Sequence, residues 1–260
     1  MDRSGTYALV TGAGSGIGEA TALKLAAEGA KVAVVGHSRD TAERTAARIV
    51  DAGGSAFPLA AELADPRQVA ALFEGIARRW PRLDVLVANA GINGVWAPLD
   101  ELSVEEWNHT IGVNLTGTFL TVKYALPLLR VAGGAVVITS SVNGTRMFSN
   151  SGASAYGASK AGQVAFAKMI AVELARDRIR VNVVCPGSID TEIGDNTEER
   201  NTERIRIPVD YPAGRIPLTG DAPGTSGQVA DLIGFLTSDA AEHITGTEVW
   251  IDGAQSLLTG

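Results

Sequence analysis

Short apolar runs alternate with segments of helical composition along almost the whole chain. The runs are nearly continuous in apolar residues, which is typical of strands covered on both faces. Because strands that alternate with helices are joined by right-handed crossovers, this order predicts a doubly wound α/β fold with one parallel sheet of about seven strands and helices on both faces. The predicted strands are residues 6–11, 31–35, 55–59, 83–88, 136–141, 179–186 and 247–251.

Length, composition and charge limit the possible functions. The 260 residues with 45% hydrophobic content fit one α/β domain over residues 1–260. A net charge of -7 argues against nucleic acid or an anionic membrane as the main partner, because both need clustered Lys and Arg. The lone Cys185 precludes an internal disulfide, and no metal site is predicted. Residues 1–4 begin no basic-then-apolar leader and no run has membrane-spanning length, so we expect a cytoplasmic protein.

A glycine cluster directly follows the first predicted strand and precedes a helix over residues 19–28. Glycines there let the backbone turn tightly and approach a pyrophosphate, and the helix N-terminus offers free N–H groups and a partial positive charge. A glycine cluster alone is often only a turn, but this one lies where a dinucleotide-binding βαβ unit needs it. The predicted cofactor contacts in this turn are Gly12, Ser15, Gly16, Ile17 and Gly18.

The second strand ends in Gly36-His37-Ser38-Arg39, where the adenosine ribose of a dinucleotide would lie. A carboxylate there would accept hydrogen bonds from the 2′-OH of NAD and would repel the 2′-phosphate of NADP. The segment has none through Ser38, and His37 and Arg39 can both donate to phosphate. The alternative is that both are solvated loop residues, and Asp40 lies close by. We predict that NADP is favoured over NAD, with His37, Ser38 and Arg39 as contacts.

Tyr156-Gly-Ala-Ser-Lys160 should open a helix, which places a phenol and an ammonium one turn apart on the same face. A neighbouring ammonium favours phenolate, so we expect the pKa of Tyr156 to fall from about 10 towards a value useful for proton transfer. Ser141 ends a buried strand and can supply a third polar group. Taken alone, a Tyr and a Lys at this spacing are usually surface residues without a role, so the interpretation depends on the motifs around them.

Two further strands end in small or polar residues, at Asn89-Ala90-Gly91 and at Pro186-Gly187. Because the carboxyl ends of parallel strands share one edge of the sheet, we expect both to lie beside Gly12 and Ser141.

Two other segments bear on the site. Asn114 lies within a long helix predicted over residues 103–130 with Ser103 as its cap, and by itself it is most simply a satisfied core amide. Residues 188–225 are polar, charged and proline-containing, with one short helical candidate over residues 198–206. Such an excursion in a compact domain is more often a lid than a connector, so we expect a substrate lid there.

Six motifs occur in the order and spacing of one known family: TGAGSGIG at 11–18, ANAG at 88–91, Asn114, SSVNG at 140–144, YGASK at 156–160 and PG at 186–187. Together they resemble the short-chain dehydrogenase/reductase family over nearly the whole chain. The resemblance implies a single-domain, Rossmann-like fold that binds a nicotinamide dinucleotide. Further cofactor contacts implied are Glu62, Leu63, Asn89, Ala90, Gly91, Tyr156, Lys160, Pro186, Gly187, Ile189 and Thr191.

The resemblance also implies catalytic roles. Tyr156 would be the general acid/base, Ser141 would hold the substrate oxygen, and Asn114 would hold a water of the proton relay. Lys160 would bind the nicotinamide ribose and lower the pKa of the tyrosine. Between Ser141 and Tyr156 the chain is about two residues longer than the commonest family spacing, and the extra length at 147–150 should line the substrate side.

The predicted function is an NADP(H)-dependent oxidoreductase that moves a hydride between the nicotinamide and a ketone or secondary alcohol carbon. The candidate substrate contacts are mostly apolar, which favours a ketone with hydrophobic substituents, although Arg206, Tyr211 and Arg215 would reach a polar substrate if the lid folds inward. The candidate contacts are Asn93, Trp96, Ser141, Met147, Phe148, Tyr156 and Ile193.

Three alternatives stay open. A reductase of 3-oxoacyl carrier-protein thioesters would need a basic docking patch, and the segment ahead of the Ser141 strand has only Arg130. A dehydrogenase of a sugar or polyol using NAD is the second. A dinucleotide sensor without turnover is the third, and such a protein would not need Ser141, Tyr156, Lys160 and Asn114 together.

The helix that begins near Tyr156 carries more apolar residues than one buried stripe requires, so we expect its second face to pack against another subunit. The resemblance points to a homotetramer. The apolar residues are Val164, Phe166, Met169, Ile170, Val172 and Leu174.

Overall fold

The computed structural model describes residues 1–259, apart from the side chains of Asp195 and Thr259. Its strands are β1 (Tyr7–Thr11), β2 (Lys31–Gly36), β3 (Ser55–Ala60), β4 (Val85–Ala88), β5 (Gly94–Trp96), β6 (Gly134–Thr139), β7 (Ile179–Pro186), β8 (Ile189–Asp190), β9 (Thr197–Glu199), β10 (Gly224–Thr225) and β11 (Glu248–Ile251). Its α-helices are α1 (Gly16–Ala27), α2 (Arg39–Asp51), α3 (Pro66–Ala77), α4 (Val104–Ile111), α5 (Gly117–Leu129), α6 (Ser154–Leu174), α7 (Ser226–Leu236) and α8 (Gln255–Thr259).

Seven strands form one parallel sheet in the order β11-β7-β6-β4-β1-β2-β3. The strand order reverses between β1 and β4, and in such sheets the ligand crevice lies at the carboxyl ends beside this reversal. The predicted doubly wound α/β fold with seven strands is confirmed. The carboxyl edge brings together the ends of β1, β4, β6 and β7, as the sequence predicts.

Hydrophobic clusters cover both faces of the sheet. Leu9 belongs to the cluster that packs on α3, α5 and α6, whereas Val10 belongs to the cluster that packs on α1, α2 and α7. Successive residues of a strand face opposite sides, so a strand covered on both faces must be apolar at every position. This is why the strands are continuous apolar runs in the sequence.

The long helix predicted over residues 103–130 has the expected extent but is not a continuous α-helix. A π-helical turn (Gly112–Thr116) separates α4 from α5 and contains Asn114. Ser103 is the predicted cap, and it forms a capping box with Glu106. Single π-helical turns inside helices are frequent at functional sites.

The helix predicted over residues 198–206 is wrong. The segment contains β9, which pairs in parallel with β5, and then one turn of 3₁₀-helix at Thr202–Arg204. Asn201 has a φ of 52°, which interrupts any helix. The Arg200 guanidinium donates to both carboxylate oxygens of Glu106, at 3.0 and 2.9 Å. These contacts to α4 hold the segment extended against the body of the protein.

Candidate active site

A cavity of about 920 Å³ lies at the carboxyl edge of the sheet. It runs from the glycine turn after β1 to the phenol of Tyr156 and on to the segment after β7. Its wall includes every predicted site residue except Gly18, Arg39, Asn114 and Phe148. The sequence therefore locates the cavity, and these four residues lie outside its wall.

The glycine turn fits closely against its surroundings. A Cβ at Gly12 would lie 2.8 Å from Cα of Ala90, and a Cβ at Gly18 would lie 2.1 Å from the main-chain oxygen of Gly12. Gly12 and Gly16 have φ values of 63° and 53°, which glycine adopts without strain. Gly18 thus serves the packing behind the turn and not the cavity wall. Because α1 begins at Gly16 and its first residues Gly16 and Ile17 line the cavity, the N-terminus of the helix lies at the wall, and this cradle fits the pyrophosphate of a dinucleotide.

The end of β2 departs from the sequence prediction. His37 and Ser38 line the cavity, but Arg39 does not. The Nε of Arg39 donates to Oε1 of Glu43 at 2.7 Å along α2, and its side chain is 78% exposed. Nδ1 of His37 lies 3.4 Å from Oε2 of Glu62. Each predicted phosphate donor is therefore beside a carboxylate, and the pair with Glu43 keeps Arg39 outside the cavity.

Tyr156, Lys160 and Ser141 meet at the buried end of the cavity. Tyr156 and Lys160 lie one turn apart in α6, and Nζ of Lys160 lies 5.5 Å from the centre of the phenol ring. That Nζ donates to the main-chain oxygen of Thr139 at 3.0 Å. The hydroxyl of Ser141 accepts from the main-chain N–H of Asn143 at 3.1 Å and forms a hydrogen bond with the Tyr156 phenol. The three side chains that the sequence singles out are brought together.

Burial controls the protonation of this group. It raises the pKa of Tyr156, and the hydrogen bond from Ser141 opposes this with a smaller effect. It also lowers the pKa of Lys160 from 10.5 to about 8. The expected fall in the pKa of Tyr156 is therefore wrong for this arrangement, because desolvation is the larger effect and Lys160 donates to Thr139 instead of to the phenol.

Asn114 is fully buried behind the cavity wall. Its Nδ2 donates to the main-chain oxygen of Ile92 at 2.9 Å and to Oγ of Ser159 at 3.0 Å, while Oδ1 accepts from the N–H of Ile92 at 2.8 Å. Both amide donors are used, which agrees with a satisfied core amide. A Cβ at Gly91 would lie 3.2 Å from Oδ1 of Asn114 and 3.3 Å from Nζ of Lys160, so both groups lie against this glycine. The role of Asn114 in a proton relay stays a prediction.

The substrate end of the cavity is walled by Trp96, Met147 and Ile193. The rings of Trp96 and Tyr156 are 6.4 Å apart between centroids. Phe148 is 76% exposed and lies outside the wall, so the structure does not bring it to the cavity, and its substrate contact stays a prediction. Asn93 lines the wall and donates to Oγ1 of Thr197 at 2.7 Å, which ties β5 to β9.

Several wall residues escaped the sequence interpretation. Asn143 follows Ser141 by two residues inside SSVNG and could have been found from that motif. His109 of α4 lies five residues before Asn114, and Gln255 belongs to α8 near the end of the chain, but neither is part of a motif and no local signal marks them. Thr41 lines the ribose end, where its hydroxyl donates to the main-chain oxygen of Ser38 at 2.9 Å.

Among the side chains that the structure describes, which leave out Asp195, no group of three or more His, Cys, Asp or Glu is placed to hold a metal ion. None of the helices in the same part of the chain combines the length and hydropathy that crossing a bilayer requires.

Comparison with known proteins agrees with this geometry. A family model described as enoyl-(acyl carrier protein) reductase matches residues 12–254. Cis-4-hydroxycyclohexanecarboxylate dehydrogenase of Sinomonas cyclohexanicum is 41% identical over 254 residues, which cover 96% of each chain. The chain belongs to the short-chain dehydrogenase/reductase family. Cyclohexanol dehydrogenase of Acinetobacter sp. (strain SE19), another relative, is 37% identical over 248 residues, or 95% of this chain and 93% of that protein.

Solved structures give the same assignment. A 3-ketoacyl-ACP reductase from Sinorhizobium meliloti 1021 superposes with a TM-score of 0.94 at 52% identity and covers 97% of this chain and 99% of its own. A 3-ketoacyl-(acyl-carrier-protein) reductase from Brucella melitensis, complexed with NADH, superposes with a TM-score of 0.85 at 30% identity. The match covers 97% of this chain and 99% of the Brucella chain. As a short-chain dehydrogenase/reductase, the protein is an oxidoreductase that acts on alcohol and carbonyl groups and uses a nicotinamide dinucleotide.

Proposed function

We propose that this enzyme interconverts a ketone and a secondary alcohol on a six-membered carbon ring. The observation that carries the proposal is the meeting of the Tyr156 phenol with the Ser141 hydroxyl in a cavity whose substrate end is walled by Trp96, Met147 and Ile193. Two relatives that cover more than nine-tenths of the chain are named for a cyclohexane-ring alcohol. An aromatic and aliphatic wall beside two hydroxyls suits such a ring, because it buries carbon while holding one oxygen.

Each side chain at the buried end has a role in this proposal. Tyr156 is the general acid in reduction and the general base in oxidation. Ser141, which is held by the N–H of Asn143, donates to the substrate oxygen. Lys160 holds the nicotinamide ribose, and Asn114 holds a water of the proton relay. The nicotinamide supplies or accepts the hydride when it is bound.

For the cofactor we propose a preference for NADP over NAD. The glycine turn and the start of α1 would hold the pyrophosphate, and the residues after β2 would meet the ribose. The support is that residues 36–38 contain no carboxylate, while His37 and Ser38 line the cavity. To bind a 2′-phosphate, Arg39 would have to give up its hydrogen bond to Glu43. Arg39 then has one charge-assisted hydrogen bond in the free enzyme, to Glu43, and one in the complex, to the phosphate.

A second candidate function is reduction of 3-oxoacyl groups on a carrier protein. The similarity to the Sinorhizobium meliloti structure favours it. It would require a basic docking patch, and the side chain considered for that role, Arg130, donates to Oδ2 of Asp177 at 2.7 Å. With a formal net charge of -7 as well, the ring ketone is the better supported substrate.

The assembly is proposed to be a homotetramer, and the cytoplasmic location stays a prediction. Support for assembly comes from α6, where Met169 and Val172 are strongly exposed, and from the neighbouring Phe119 of α5, which is also exposed. Apolar side chains at this exposure suit an interface between copies of the chain. The lid over residues 188–225 is likewise proposed to cover the substrate end.

A substrate panel tests the function directly. NADPH and NADH oxidation would be followed with cyclohexanone, an acetoacetyl thioester of carrier protein, and a ketose, with Tyr156→Phe as the control. We expect the highest kcat/KM with cyclohexanone and NADPH, and loss of it in the variant. A higher kcat/KM for the thioester would establish the second candidate instead. Dinucleotide binding without turnover of any substrate would support a sensor.

A further inference from the structure

Arg215 is a cation on the cavity wall that no described carboxylate neutralises. It lines the cavity, and it forms no ion pair with any side chain described by the structure. The other arginines near the lid behave differently, since Arg200 pairs with Glu106 and Arg204 pairs with Glu101. Those two arginines fasten the segment to the body of the protein, whereas the guanidinium of Arg215 is available to a ligand.

The backbone that carries Arg215 is anchored by hydrogen bonds from the residues that follow it. The N–H of Ile216 donates to the main-chain oxygen of Gly220 at 2.6 Å, and the N–H of Leu218 donates to that of Gly253 at 3.1 Å. Ile216 is itself buried and lines the cavity. The turn is therefore fastened to the segment that follows β11, which is part of the molecular body. A cation on such a turn has a defined position relative to the cavity.

The other charged groups of the wall decide what this cation can bind. Among the described wall residues, Lys160 is the one Lys or Arg besides Arg215, and it is buried beside Tyr156. Three carboxylates also lie on the wall, Glu62, Glu192 and Asp221, and Glu62 lies beside His37 at the end of β2. Oδ1 of Asp221 accepts from the main-chain N–H of Arg215 at 3.0 Å, so this carboxylate is engaged by the backbone of the turn.

We propose that Arg215 binds a carboxylate substituent of the substrate, so that the preferred substrate is a ring ketone or ring alcohol that also carries an anionic group. This inference rests on the ring-ketone function proposed above. The planar fork of a guanidinium matches a carboxylate with two parallel hydrogen bonds, and it is more weakly hydrated than an ammonium. Tyr156 and Ser141 hold the oxygen at the reacting carbon, and Arg215 fixes the far end of the ring.

Three ketones on the same ring separate charge from shape: 4-oxocyclohexanecarboxylate, its methyl ester, and cyclohexanone. For the wild-type enzyme we expect kcat/KM for the acid to exceed that for the ester by about tenfold or more, because a charge-assisted pair is lost in the ester. Arg215→Ala should raise KM for the acid by about 10- to 100-fold with kcat nearly unchanged, since binding far from the reacting carbon is removed. Its KM for the ester should stay within about twofold. Arg215→Lys should recover part of the loss, because the charge returns without the planar fork.

Arg206→Ala is the matched control. Arg206 is exposed on the same segment and lies outside the cavity wall. Its replacement by Ala changes the net charge by the same amount as Arg215→Ala does. It should leave KM for the acid unchanged. Asp221→Asn removes a negative charge beside the site and should not raise KM for the acid.

Three outcomes would overturn the inference. One is an equal effect of Arg215→Ala on acid and ester, and another is an equal effect of Arg206→Ala and Arg215→Ala on the acid. The third is reduction of cyclohexanone and the ester with no advantage for the acid, which leaves the proposed function intact. If none of the three ketones is reduced while NADPH still binds, the proposed function itself fails and the inference fails with it.

Discussion

Asn114 and Ile92 are hydrogen bonded in both directions, from Nδ2 to the main-chain oxygen at 2.9 Å and from the main-chain N–H to Oδ1 at 2.8 Å. The pair joins the π-helical turn to the loop after β4. In that loop, Gly91 lies against both the Asn114 side chain and Nζ of Lys160. Asn114 is fully buried, so water cannot replace either bond. The helical path between α4 and α5 is thereby fixed behind the catalytic group.

Removing the Asn114 side chain should therefore lower stability as well as activity. In Asn114→Ala, the N–H and oxygen of Ile92 lose their partner, and each buried group left unsatisfied costs about 1–3 kcal/mol. Urea unfolding would measure the change in the free energy of unfolding. Asn108→Ala removes the same side chain from an exposed position of α4 and should cost much less. Equal losses in the two variants would contradict a structural role for the Ile92 pair.

Tyr156→Phe should reduce turnover by roughly 10²-fold or more, because a positioned acid contributes about that factor. Only the hydroxyl is removed, so the fold and dinucleotide binding should be retained, as circular dichroism and fluorescence titration would show. Tyr211→Phe deletes the same atom outside the cavity wall and serves as the control. Unchanged turnover in Tyr156→Phe would end the proposed acid/base role.

Lys160 should make stability depend on pH. Its pKa is about 8 in the folded protein because of burial, against an ordinary 10.5. Between these values the unfolded chain binds the proton and the folded protein does not, so the contribution of Lys160 to the free energy of unfolding rises with pH in this window. Below about pH 8 both states are protonated and the burial penalty is complete.

Urea unfolding at several pH values tests this sign. The stability of the wild type relative to Lys160→Met should be constant between about pH 6 and 7 and should increase from about pH 8 to 10. The raised pKa of Tyr156 lowers the free energy of unfolding as the pH rises, but only above the ordinary tyrosine value of 10.0. This contribution is present in both the wild type and Lys160→Met. A difference that stays flat across the whole range would show that Lys160 keeps an ordinary pKa.

The pair between Arg39 and Glu43 predicts how the cofactor preference responds to mutation. Arg39→Ala should raise KM for NADPH relative to KM for NADH by up to about tenfold, since a hydrogen bond to a charged group contributes about 1.5–3 kcal/mol and the pair with Glu43 that is given up offsets part of it. Glu43→Gln should lower KM for NADPH, because Arg39 no longer has a competing carboxylate. Arg44→Ala, on the same helix and exposed, is the control. A wild-type preference for NADH, or an equal effect of Arg39→Ala on both cofactors, would mean that no phosphate clamp exists.

The exposed face of α6 predicts a homotetramer. Val172 is 82% exposed, and a charge there should disrupt an interface that covers it. Light scattering should give four times the chain mass for the wild type and a smaller species for Val172→Asp. Val50→Asp, at an exposed position of α2, should leave the mass unchanged. A monomeric wild type at micromolar concentration would contradict the assembly and would leave this apolar face without a partner.

Several features follow from the sequence alone because they depend on local geometry. Strands covered on both faces require apolar side chains at every position, so the alternating runs predict the sheet before any contact is known. The spacing of Tyr156 and Lys160 fixes them one helical turn apart. The glycine turn before α1 is likewise a local feature, because its tight backbone depends on the glycines themselves. Ser103 caps α4 through a hydrogen bond to a residue three positions away.

Other features were decided by residues that are distant in the sequence. β9 pairs with β5 and does not form a helix. The reason is that Arg200, which follows β9, donates to Glu101 and Glu106, about a hundred residues earlier in the chain. The pair of Arg39 with Glu43 is different, because the two residues lie four apart on α2 and local spacing could have indicated it. The pKa of Tyr156 depends on burial by separate segments, and Arg215 reaches the cavity wall only because its turn is bonded to Gly253. Local spacing carries no information on such contacts, since burial and charge pairing are set by the three-dimensional neighbours of a side chain.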